Sequence, residues 1–220
     1  GGFAVLYFSY RLIQFPLGVF SNAISQAILP TFSRQAIANE ESELKRTLSF
    51  GLRSVFFIMV PSGIFFMVLA LPLINAFFSG GRFDSYSAHL TAQALFFYSI
   101  GLSAYGANKV LQACFFSLKD TVTPAKISAL SLVLNIILNS ILMFPFKIAG
   151  IALATSISGI ITFLVLFILA KKRIGDFGVK EIGNSFLRIF ICGAGMGFVC
   201  YLSAYLSPNR FLGILISLIA

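Results

Sequence analysis

Two cations stand inside stretches that otherwise carry no charge. Arg11 lies in an apolar run from about Phe3 to Leu29, and Lys109 in a run from about Ala88 to Leu118. On helical rise, Arg11 is about a dozen ångströms into its run and Lys109 about 15 Å from the nearer end of its own. A charge at the centre of a bilayer-spanning helix costs about 2.5–3.5 kcal/mol on insertion scales, so such a residue normally faces a bundle interior or a watery cavity. Snorkelling of the long side chain to an interface is the other reading, and the residues alone leave both open. The acids Glu40, Glu41, Glu43, Asp84, Asp120, Asp176 and Glu181 all fall in the gaps between apolar runs, so none neutralises either cation from within a run. An anion from elsewhere suits the pair. A guanidinium grips a phosphate with two N–H groups, and an ammonium acts as a point charge. Pro16 cannot donate to the carbonyl of Leu12, which predicts a kink beside Arg11.

Other polar residues inside the runs are neutral. Asn135 and Asn139 are spaced to share one helix face, and Thr155 in the next run can meet them. Their oxygens could hold Na⁺. Hydrogen bonding between helices accounts for them equally. His89 has no neighbour at metal-ligand spacing and reads as interfacial. Cys114, Cys192 and Cys200 lack paired spacing and read as packing residues. Gly193, Gly195 and Gly197 read as a close helix contact. No metal or organic cofactor is expected besides that Na⁺.

The apolar runs decide what solvent this chain needs. It is 58% hydrophobic and only 10% charged, too little polar surface to cover a water-soluble fold. The bilayer is then the solvent, and each span must be a helix that satisfies its own backbone. Seven runs are expected: Phe3–Leu29, Leu48–Phe78, Ala88–Leu118, Thr123–Phe144, Ile148–Ala170, Asn184–Leu206, and one from Phe211 that the chain end cuts short at about half a bilayer. The polar run Ala38–Arg46 predicts a short surface helix leading into the second span. The chain thus reads as a piece of a longer protein. Residues 1–170 carry five spans, and 171–220 carry a linker and two more.

The formal net charge of +9 does not indicate nucleic acid, because the basic residues form small groups beside the spans and no continuous stripe. Arg34, Lys45, Arg46, Arg53, Lys119, Lys126, Lys171, Lys172, Arg173, Lys180 and Arg188 fall in alternate gaps, against Arg82, Lys147 and Arg210 in the others. The positive-inside rule puts the larger set in the cytoplasm, so the first span runs inward from outside.

Three motifs resemble a known family. YFSYRLIQFPLGVF (Tyr7–Phe20) with ILPTFSR (Ile28–Arg34) is similar to the "RL-x-x-x-PLGV … LLP-x-LSR" stretch of the MurJ/MviN family. SGGRFD (Ser79–Asp84) resembles its "GRGAFD" loop, and FFSLKDTVTPAK (Phe115–Lys126) its "FYA-x-KDT-x-TP-x-K" loop. The resemblance implies the second lobe, without its first helix, of a flippase of the MOP superfamily. Such a protein carries undecaprenyl-pyrophosphate-linked peptidoglycan precursor, lipid II, across the bacterial inner membrane by alternating access. Its partner would be the N-terminal lobe of the same chain. The resemblance also implies that Arg11 is the cavity arginine facing the pyrophosphate and that Lys109 is a second basic contact. It puts Asn135, Asn139 and Thr155 where some members are proposed to bind Na⁺. Tyr10 and Asn139 stand where the family commonly has Asp. Another MOP-type carrier, a membrane enzyme on a polyprenyl phosphate and a scaffold are the alternatives. The enzyme is disfavoured, because Asp84 and Asp120 fall on opposite sides of the membrane.

Overall fold

The computed structural model describes residues 2–78 and 85–206, and among these every regular element is a helix. The SGGRFD loop, the run from Phe211, and Arg82, Asp84 and Arg210 lie outside the described residues. The helices are α1 (Gly2–Pro16), a π-helical turn (Leu17–Ser21), α2 (Asn22–Ile37), α3 (Glu41–Val68), α4 (Ala70–Phe78), α5 (Ser85–Ile100), α6 (Leu102–Ser117), α7 (Val122–Ile174) and α8 (Val179–Leu206). Among the described residues, four stretches are long and apolar enough to cross a membrane: Ala4–Ile37, Glu41–Val68, Val122–Ile174 and Val179–Ala204.

Several boundaries differ from expectation. The polar run from Glu41 is no separate surface helix but the first turns of α3, with Glu41 and Glu43 at its N-terminal end, where the helix dipole favours acids. The third run is split at Gly101 into α5 and α6. A Cβ there would lie 2.9 Å from the Cα of Ser156, so the break sits where another backbone presses in. α7 has 53 residues, about 80 Å of helix, which is far more than a bilayer is thick. It turns back at Lys147, whose φ of 51° and ψ of −128° are not helical. Its two arms, 122–146 and 148–174, are the expected fourth and fifth runs. Gly150 lets them meet, since a Cβ there would collide with the carbonyl of Leu142.

Contacts between elements fix their directions. Ser9 donates to the carbonyl of Thr91 and Ser21 to that of Gly106, so the first span runs parallel to α5 and α6. α3 opposes them, because Gly51 lies against Val110 and Gly63 against Ser99. Arg53 meets Glu181 and Ile64 meets Gly193, so α8 runs parallel to α3. Consecutive spans therefore alternate. The core between them is apolar, with Phe32, Leu48, Leu52, Met59, Leu95 and Leu111 fully buried. Phe57, Leu132, Phe144 and Phe198 are exposed, as expected of surfaces solvated by hydrocarbon.

Candidate functional site

Arg11 is exposed on α1, one turn before Pro16. Tyr7 is one turn earlier on the same face. Its hydroxyl accepts from Nε of Arg11 at 3.1 Å and from an Nη at 2.9 Å. The guanidinium carbon also lies 5.4 Å from the Tyr7 ring centroid. An arginine that could sweep a wide arc is thereby held against Tyr7 while remaining exposed. Among the described residues no carboxylate is within ion-pair distance of it. At Pro16 the α-helix gives way to the π-turn Leu17–Ser21, which absorbs the lost donor without breaking the helix.

Tyr10 points to a different neighbour. Its ring meets that of Tyr98 edge to face at 5.8 Å. Next to Tyr98, the carbonyl of Phe97 accepts from the hydroxyl of Ser156 on the second arm of α7 at 2.6 Å. Tyr105, two turns along, reaches the hydroxyl of Ser156 at 3.4 Å. Sequence reasoning missed these tyrosines, although their spacing carried a signal. Tyr7 is four residues before Arg11, and Tyr98 and Tyr105 are seven apart.

Lys109 is the one exposed residue between Leu102 and Phe115 on α6. It is not at the level of Arg11. Ser21 is hydrogen-bonded to Gly106, ten residues past Arg11 and three before Lys109. The two cations are therefore separated by about 20 Å along the bundle axis.

Asn135, Asn139 and Thr155 do come together. Nδ2 of Asn139 donates to Oδ1 of Asn135 at 2.9 Å, and Nδ2 of Asn135 approaches the Thr155 hydroxyl at 3.4 Å. Oδ1 of Asn139 is buried and accepts no hydrogen bond among the described residues. A second cluster lies one level along, where Ser131 meets Ser158 at 2.9 Å and Thr162 at 2.7 Å. Ser131, Asn135 and Asn139 form a polar stripe on an arm whose Leu132, Val133, Ile136 and Ile137 are exposed. Polar contacts thus hold this arm against its partner.

Gly193 and Gly197 pack on Ile64 of α3, whereas Gly195 meets nothing within 4 Å. His89 is exposed near the N-terminal end of α5. Cys114 and Cys200 are buried and Cys192 is exposed. An apolar cavity of about 410 Å³ lies between α3, α6, α7 and α8, lined by Phe56, Phe163, Phe167 and Phe186 among others.

The comparison with known proteins decides the family. The model of the family "Lipid II flippase MurJ" matches residues 1–220, the entire chain. The chain belongs to the MurJ lipid II flippase family. A probable lipid II flippase MurJ of Vibrio cholerae is 35% identical over 167 residues, covering 76% of this chain and 32% of that one. The MurJ of Thermosipho africanus is 30% identical over 221 residues, covering 97% of this chain and 44% of its own. A solved MurJ structure in an inward closed conformation superposes with a TM-score of 0.84 at 29% identity, covering all of this chain and 45% of that one. The chain thus spans less than half the length of the MurJ proteins it matches.

Proposed function

We propose that this chain is the second lobe of a flippase that carries lipid II across the bacterial inner membrane by alternating access. The observation that carries the reading is Arg11, an exposed guanidinium aimed by Tyr7 and free of any carboxylate among the described residues. A pyrophosphate complements it, because two anionic oxygens can accept from its free N–H groups. Lys109, about 20 Å away along the axis, is a second station that the pyrophosphate meets later in its passage. The apolar cavity lined by Phe56, Phe163 and Phe186 suits a polyprenyl chain. The N-terminus is on the periplasmic side, with the eleven-residue basic set in the cytoplasm. The lobe translocates only with its N-terminal counterpart, since alternating access needs two halves that move against each other.

Asn139, Asn135 and Thr155 would hold a Na⁺ ion. The buried, unpartnered Oδ1 of Asn139 is the group that fits one. When bound, the ion would supply charge that draws the two arms of α7 together.

The test is complementation. The full-length gene is expressed in cells depleted of their own lipid II flippase. Growth rescue supports the reading. Failure despite normal membrane insertion narrows it to another carrier of the superfamily.

A further inference from the structure

A cleft runs between α3 and α8 at the end of the bundle where the basic residues gather. Its outer part, about 760 Å³, is lined by Lys45, Arg46 and Arg53 facing Glu43, Asp176 and Glu181. Its inner part, about 430 Å³, shares Phe50 and Arg53 with the outer part. It adds Ser54, Phe57 and Ile58 of α3, and Ser185, Arg188 and Ile189 of α8.

Charge and polarity change along this cleft. The outer part is balanced in sign, whereas the inner part holds two arginines and no carboxylate. Among the described residues, Arg53 has one ion pair, a loose 3.9 Å approach to Glu181 between exposed side chains, and Arg188 has none. A surface pair of that kind contributes little and yields readily to a better anion. The hydroxyl of Ser49 in the outer part is buried and without a hydrogen-bond partner among the described residues. One turn beyond Arg53 along α3 the surface becomes apolar, and Phe57 is 68% exposed. The apolar cavity described above meets the other flank of α8, through Ile182, Gly183 and Phe186.

We propose that this cleft binds an anionic glycerophospholipid from the leaflet on the basic side of the membrane. Its phosphodiester sits between Arg53 and Arg188, with Ser54 and Ser185 as hydroxyl partners. Its acyl chains lie along Phe57, Ile58 and Ile189. Two guanidinium forks lining one cleft match a phosphodiester lodged between them, and a basic pocket between spanning helices suits the leaflet that supplies it. A free phosphate ion would leave the apolar half of the cleft unused. The site rests on the sidedness given above but needs neither Arg11 nor any flipping.

Native mass spectrometry of the full-length flippase, delipidated and reloaded with phosphatidylglycerol or phosphatidylcholine, tests this. The intact protein is expected to retain phosphatidylglycerol preferentially. R188Q removes an arginine that has no ion pair, and it should weaken retention several-fold, with R53Q/R188Q reaching roughly tenfold or more. Thermal unfolding in lipid-free detergent checks that the variants fold, and R188Q decides if the double variant does not. Equal retention of the two lipids, undiminished retention by R188Q, or displacement of the lipid by inorganic phosphate would overturn the proposal. Continued rescue of growth by R188Q leaves the flippase reading standing whatever the lipid result, so the two failures are distinguishable.

Discussion

The Tyr7 hydroxyl accepts two hydrogen bonds from Arg11, at 2.9 and 3.1 Å, from one helical turn away. The arrangement is local to α1 and needs no other helix. It fixes the direction of the guanidinium before any substrate arrives, which lowers the ordering cost of binding. Tyr7→Phe keeps the ring under the cation and removes the acceptor. Lipid II affinity should then fall about threefold to tenfold, the worth of a hydrogen bond to a charged group reduced by exposure. Titration of the purified full-length protein with lipid II checks this.

The hairpin of α7 depends on two residues. Gly150→Ala drives a Cβ into the carbonyl of Leu142, a backbone atom that cannot swing aside. Loss of about 2–3 kcal/mol or more is expected, as for other overpacked sites. Lys147 holds a positive φ of 51° that an L-residue adopts at a cost. Lys147→Gly should therefore be neutral or stabilise by about 1 kcal/mol. Thermal unfolding should come at a lower temperature for Gly150→Ala and at an unchanged or higher one for Lys147→Gly.

Asp120 closes the turn between α6 and α7. Its carboxylate accepts from the backbone N–H of Thr123 at 3.0 Å and from the Thr123 hydroxyl at 2.8 Å. The backbone bond comes first, then the hydroxyl, in holding its pKa below the ordinary 3.8. A lowered folded-state pKa means that the contribution is present in full above the unfolded value. It is lost as pH falls through the folded one. Asp120→Ala should thus unfold at a lower temperature than the intact protein at neutral pH, and the gap should close below pH 3.8. A gap that stays constant across this range would remove Asp120 from the cap.

Asn139 tests the ion reading. Asn139→Asp adds a carboxylate beside Asn135 and Thr155 and should tighten Na⁺ binding roughly tenfold, the scale of one added charge contact in a partly buried site. Asn139→Leu should abolish any Na⁺ dependence. Transport assayed in Na⁺ and in choline buffers, across a titration, reads both effects.

Much of this molecule was legible in its sequence. The apolar runs gave the spans because hydrocarbon leaves the backbone no alternative to helix. The turn at Lys147, the polar face of Asn135 and Asn139, and the isolation of Arg11 from acids followed from spacing alone. The break at Gly101 did not, because it answers to the backbone at Ser156, 55 residues further along the chain. Helical continuity across Pro16 was also hidden, since a π-turn and a break share the same local sequence. The distance from Arg11 to Lys109 needed the register between α1 and α6, which is set by the bond from Ser21 to Gly106. The contacts from Tyr10 to Tyr98 and from Ser156 to the carbonyl of Phe97 cross three helices and have no signature in any one of them.

The central claim is that Arg11 grips the pyrophosphate of lipid II, and its most direct measurement is a substitution series at that position. The full-length gene carrying Arg11, Arg11→Lys or Arg11→Ala is placed in flippase-depleted cells, with membrane levels matched and lipid II translocation followed. The account predicts translocation with Arg11 and loss with both Lys and Ala, because a point charge cannot replace a two-pronged grip. Translocation undiminished by Arg11→Ala at equal protein level would contradict it.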